Sequence, residues 1–155
     1  MHHLFKKVED VFGSTPLADS QIVSTIYQKV KGGFRDKLPE TVEQIEYEEY
    51  TLFVRPRDYV SGELFLYGEY EPFLTKTIES LVSEGDVVID IGAHVGHHSL
   101  TMRRKTGENG EVHLFEPHPQ LHQLLGKTVA ANDFENVHVH SVALTEQADQ
   151  FQLSE

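Results

Sequence analysis

Val87-Val88-Ile89-Asp90-Ile91-Gly92-Ala93-His94-Val95-Gly96 is the stretch that decides the fold. A short apolar run ends in an acid, then in two glycines separated by three residues, and a helical pattern follows. This is how a parallel strand, a tight turn and a helix N-terminus are written when the turn must hold a nucleotide-like ligand. Gly92 lets the backbone leave the strand sharply, and Gly96 lets the helix pack close to the sheet. Asp90 is an acid at the end of a buried strand, unfavourable there without a partner. It is placed to organise the turn or to meet a cationic or hydroxylated ligand.

Working outward, Glu71-Pro72 opens a helix on the N-terminal side, with Phe73, Ile78, Leu81 and Val82 as its apolar side. Beyond the turn, Val95, Ser99, Leu100 and Met102 continue as a helix that ends near Thr106-Gly107. Glu111 to Glu116 is a second strand, Leu121, Leu124, Leu125 and Val129 stripe a further helix, and Val137 to Val142 is a third strand. Phe151-Gln152-Leu153 could begin a fourth. Strand, helix, strand, helix, strand is the order of a parallel α/β sheet. Upstream, Tyr50 to Val54 and Glu63 to Tyr67 form a strand pair across a proline- and glycine-containing loop. Residues 1–44 are a helical extension and linker, with Ile22, Ile26 and Val30 on one helix face.

The 155 residues allow one modest domain plus an extension. With 13 basic and 25 acidic residues the formal charge is -12, which argues against a phosphate-backbone partner. The absence of cysteine excludes disulfides, thiolate metal sites and a cysteine nucleophile. No apolar run approaches the roughly 20 residues needed to span a bilayer, and the N-terminus does not build a signal peptide. The cytoplasm and the absence of a membrane partner are therefore expected.

Phe115-Glu116-Pro117 is the second landmark. Glu116 follows the glycine turn by roughly 20 residues, where α/β nucleotide folds place a ribose-binding acid. Its two oxygens can accept from two ribose hydroxyls. The turn lacks the middle glycine of Gly-x-Gly-x-x-Gly, so it does not build the amide nest that a pyrophosphate needs. No Gly-Lys-Ser/Thr follows, which excludes a P-loop. A ligand with ribose and adenine but no phosphates fits, and S-adenosylmethionine is such a ligand.

Residues 63–147 resemble the FkbM-type family of S-adenosylmethionine-dependent methyltransferases. The matching residues are Tyr67-Gly68-Glu69-Tyr70-Glu71-Pro72, the stretch from Gly85 to Gly96, Phe115-Glu116-Pro117-His118-Pro119, Asn132, Asn136-Val137 and Ala143-Leu144. The family usually carries asparagine where this chain has His94, and an aromatic near His97 or His98. The resemblance implies a Rossmann-like class I methyltransferase sheet, truncated after the third strand, with an N-terminal helix and β-strand extension. It implies that Asp90, Gly92, Ala93, His94 and Gly96 cradle the methionine part of the cofactor and that Glu116 holds the ribose. Ala143 would lie near the adenine, and Glu71 would reach the amino-acid end. The acceptor would be a hydroxyl on a sugar, glycan or secondary metabolite, so a small-molecule or glycan substrate and no nucleic acid are expected.

The first strand is apolar on both faces and should have a neighbour on each side. The chain stops at Glu155, before the fourth strand and acidic motif that the family places there, so residues 45–155 are expected to be the N-terminal part of the domain. The missing part would supply the catalytic base, and no catalytic residue is assigned. The exposed edge of the first strand would be covered by the strands of 45–67, by another copy in a homo-oligomer, or by further chain. His94, His97 and His98 cluster at the turn, and His118/His122 and His138/His140 have spacings that can chelate a metal. No further donor completes those pairs locally, so no metal site is expected. A nicotinamide-dependent oxidoreductase and a non-catalytic, degenerate Rossmann-like module are the competing classes.

Overall fold

A computed structural model describes residues 37–146. They contain β1 (Glu43–Tyr47), β2 (Tyr50–Val54), α1 (Tyr59–Tyr67), α2 (Pro72–Leu81), β3 (Val87–Ile91), α3 (His97–Thr106), β4 (Glu111–Phe115), α4 (Pro119–Ala131) and β5 (Val137–His140). The helix expected around Ile22 to Val30 and the strand at Phe151 lie outside the described residues. Two compact units emerge, one of residues 37–43 and Val54–Tyr70, the other of Gln44–Phe53 and residues 71–146.

The first unit corrects the expected second strand of the pair. Glu63 to Tyr67 is the end of helix α1, and the partner of β2 is β1, upstream of it. A short apolar run such as Leu64 to Tyr67 fits a strand or a buried helix equally well until its ends are known. Here the ends decide. The Gly62 N–H donates to the Asp58 carbonyl at 2.8 Å to close the first turn, and Gly68, at φ 77°, donates to the Leu64 carbonyl to end the last. Leu64 is fully buried, and a Cβ on Gly62 would lie 2.7 Å from the Pro56 carbonyl oxygen.

In the second unit, β3, β4 and β5 form a parallel sheet in that order, with Asp90 beside Leu114 and His113 beside both Ile89 and His138. The core lies on one face. Val112 and Leu114 of β4 and Val137 of β5 are buried against Leu125 of α4 and Ala93 of the turn, with Met102 and Val129 packed around them. Each fully buried aliphatic side chain there contributes about 1.5–3 kcal/mol. Of the apolar side expected for α2, only Ile78 is buried among the helix residues, and Phe73 is 84% exposed.

Among the described residues, the opposite face is open. Val87, Ile89 and Ile91 are exposed, in register with Glu111, His113 and Phe115. Among the described residues, strand β3 pairs with β4 alone and is an edge strand, as expected for a sheet whose first strand lacks its second neighbour. The β1–β2 hairpin forms its own sheet and does not cover that edge. It is tied instead to α4. Asn132 accepts from the Thr51 N–H at 2.8 Å and donates to the Thr51 carbonyl at 2.7 Å, while the Phe53 N–H donates to the Thr128 hydroxyl at 3.2 Å. Asn136 donates to the carbonyls of Gly107 and Gly110, fixing the connection between α3 and β4. Among the described residues, no helix is long and apolar enough to cross a membrane.

Candidate functional site

Parallel strands bring their C-terminal ends to one edge of a sheet, where open α/β folds bind ligands. The turn from Asp90 to Gly96, Glu116 and the segment carrying Ala143 each follow such an end. The turn contains three left-handed residues, Gly92 at φ 81°, His94 at φ 54° and Gly96 at φ 90°. Asparagine occupies this region more readily than most residues with a side chain. Histidine shares some of the same tolerance, so position 94 admits it.

Hydrogen bonds clamp this turn from within. The N–H groups of Gly92 and Ala93 both donate to the Phe115 carbonyl, at 2.8 and 3.2 Å, and that of Gly96 donates to the Ala93 carbonyl at 2.8 Å. The His94 N–H donates to Glu116 Oε2 at 2.9 Å. Four amides that could have formed an anion nest are thus occupied, which agrees with the absence of a pyrophosphate signature.

Glu116 is 6% exposed, and its second oxygen, Oε1, accepts from the His118 N–H at 2.8 Å. One carboxylate therefore bridges the β3–α3 and β4–α4 turns. Each oxygen retains a second lone pair for a ligand hydroxyl. This structural role of Glu116 is absent from a reading of the sequence that treats it as a ligand group alone.

Asp90 accepts from the Ser99 hydroxyl at 2.6 Å. Burial pushes its carboxyl above the ordinary value; the Ser99 bond and nearby His98 oppose the shift, and Glu116 adds to it. Burial holds His98 below its ordinary value, against the pull of Asp90 and Glu71. Glu71, Asp90 and Glu116 thus belong to one electrostatic neighbourhood around the turn. Among the described residues, His98 Nε2 is buried without a hydrogen-bond partner, and so is His118 Nδ1. The His97 ring packs on His98 with centroids 3.8 Å apart and meets the edge of Tyr47 at 6.1 Å. A Cβ built on Gly92 would meet nothing within 4 Å, so there is open space over the start of the turn.

The expected site residues fall into two groups. Gly92, Ala93, His94, Gly96 and Glu116 are joined by the bonds just described, whereas Asp90, bonded to Ser99, and Glu71 are linked to them electrostatically. Ala143 is exposed beyond the end of β5 and shares only the sheet edge with them. Ser99 and His118 were not expected in the site. Their signal was positional: each lies at or next to the N-terminal turn of the helix after a strand-end acid.

No family model matches the chain, and no curated protein matches it. Solved structures do. TYW2 from M. jannaschii in complex with AdoMet is 16% identical, with 66% of this chain and 43% of that chain covered at a TM-score of 0.52. Trm5b from Pyrococcus abyssi is 21% identical, with 66% and 28% covered at 0.51. The complex of aTrm5 and tRNALeu is 23% identical, with 66% and 28% covered at 0.49. The chain spans less than half the length of each. The fold is that of part of a Rossmann-like methyltransferase sheet. The expected exclusion of nucleic acid is corrected: Trm5b, whose fold matches this chain, is a tRNA methyltransferase. The charge argument fails because a net charge averages the whole chain and does not describe the face that a partner meets.

Proposed function

We propose that residues 45–155 supply the cofactor-binding part of an S-adenosylmethionine-dependent methyltransferase of FkbM type, following an extension over residues 1–44. The observation that carries this reading is the buried Glu116 carboxylate, set beside a turn whose own amides are already occupied. A ribose needs acceptors, and a pyrophosphate needs donors. This site offers the first and withholds the second, which disfavours a dinucleotide. The AdoMet-bound TYW2 of the same fold supports the assignment.

The residues fit the cofactor. Glu116 would hold the ribose hydroxyls, and Glu71 and Asp90 supply negative charge for the ammonium and sulfonium groups. The open space over Gly92 admits the methionine part, and His98 Nε2 offers a buried polar contact in need of a partner. Ala143 would border the adenine. When bound, the cofactor supplies an electrophilic methyl group on a sulfonium, and transfer depends chiefly on holding the acceptor in line with it.

Isothermal titration with S-adenosylhomocysteine tests the assignment. Glu116→Ala and Glu71→Gln should both weaken binding, and NADH should not compete. Wild-type affinity in the Glu116 variant would remove the ribose role. For the acceptor, the resemblance supports a hydroxyl, and the match to Trm5b, a tRNA methyltransferase, supports RNA. Transfer of a labelled methyl group from the cofactor into total tRNA, scored before and after nuclease treatment, separates the two.

A further inference from the structure

The open face of the sheet carries a second cluster of chemically active side chains. Glu111 and His113 are two residues apart on β4 and therefore share a face, and His113 is in register with His138 on β5. Glu111, His113 and His138 each offer a ligand atom, and these atoms lie within 4.8 Å of one another. We propose that Glu111, His113 and His138 bind a divalent transition-metal ion, with zinc as the best match.

The donor set is two imidazoles and one carboxylate, which zinc accepts with a fourth position left open. The chain has no cysteine, so a thiolate site is not an alternative. His113 Nε2 lies 3.2 Å from Glu111 Oε2. Two ligands about 2.0–2.1 Å from a tetrahedral ion are themselves about 3.3 Å apart, so this pair is already spaced to share one. The other nitrogen of His113, Nδ1, lies 3.2 Å from His140 Nε2. Donation of the Nδ1 proton to His140 leaves the Nε2 lone pair facing Glu111, the outer hydrogen bond by which a metal-binding imidazole is oriented. The His140 ring is in turn stacked on Phe115 at 4.5 Å. His140 is thus a positioning residue.

Strand pairing explains why this site is absent from local spacing. Neither His138/His140 nor Glu111/His113 is complete along its own strand. The third donor arrives only through the parallel register. Glu111 begins β4 and Glu116 follows its end, so the proposed ion lies away from the glycine turn. The site stands whether or not the chain binds S-adenosylmethionine.

The test is titration of the metal-free full chain with zinc, followed by calorimetry, and with cobalt, followed by its visible absorption. One saturable equivalent with the intense absorption of a four-coordinate cobalt centre is expected. It should be lost in His113→Gln and in His138→Gln, and kept in His122→Gln. Glu111→Gln should weaken it, and His140→Ala should weaken it roughly tenfold to hundredfold. Zinc should raise the melting temperature of the wild type and not of the two ligand variants. Wild-type protein without that equivalent would reduce the cluster to an ion pair and overturn the proposal. So would an equivalent that survives in a folded His113→Gln, His138→Gln double variant.

Discussion

Replacing Gly96 by alanine separates two costs that the turn imposes. At φ 90° a side chain is strained by about 1–2 kcal/mol. The new Cβ would also lie 2.6 Å from Leu125 Cδ2, against about 3.5–4.0 Å for an ordinary carbon contact. Leu125 is 1% exposed and enclosed with Val112, Leu114 and Val137, so its retreat of about 1 Å disturbs the core. Overpacking of this kind costs about 1–3 kcal/mol, for a total near 2–5 kcal/mol. Gly92→Ala is the control. Its φ is 81°, but the Cβ meets nothing within 4 Å, so only the strain of about 1–2 kcal/mol applies. The unfolded-state benefit of removing a glycine is shared by both variants and cancels. Urea unfolding with unchanged m-values should therefore show Gly96→Ala less stable than Gly92→Ala by about 1–3 kcal/mol. Binding of S-adenosylhomocysteine should show the reverse order per unit of stability lost, because the Gly92 methyl enters the space offered to the ligand. Equal destabilisation by the two variants would refute the close approach of the turn to α4.

Asn132→Ala should cost about 1–3 kcal/mol, because it leaves the Thr51 N–H and carbonyl without their partner. Amide exchange should then accelerate in β1 and β2 before it does in β4, and uniform exchange would count against the tether. His98→Gln should flatten the acid sensitivity of folding. Burial lowers the folded-state pKa of His98, so the unfolded chain takes up a proton that the folded one resists, and stability falls as pH drops below 6.5. The shift at Asp90 has the opposite sign, with stability falling as pH rises above 3.8. Urea midpoints between about pH 7.5 and 5.5 follow the histidine effect, and an equal loss in wild type and variant would contradict it.

The central motif was legible because its chemistry is local. Valine and isoleucine ending in Asp90-x-Gly92 specify a strand and a turn without help from distant residues, and the spacing to Glu116 follows from one βαβ unit. Leu64-Phe65-Leu66-Tyr67 was not legible as a helix. Its apolar run carries no period, and the decisive information is the cap at Gly68 together with the close seat of Gly62 against Pro56. Helical spacing puts Phe73 on the apolar side of α2 but cannot tell which stripe meets a neighbour. The structural duty of Glu116 was hidden for another reason. An acid that will accept from two backbone amides has no sequence mark distinguishing it from one that waits for a ligand. His113 and His138 were hidden as a pair because register is a property of two strands.

The bridge made by Glu116 has an evolutionary consequence. A carboxylate that closes two turns is maintained by selection for folding, whatever ligand it meets. If the proposed function holds, a descendant that had lost catalysis would keep an acid at position 116 long after selection on Glu71 had lapsed. A lineage that has abandoned methyl transfer would therefore reveal itself first at position 71, while its glycine turn and its second-strand acid still looked intact.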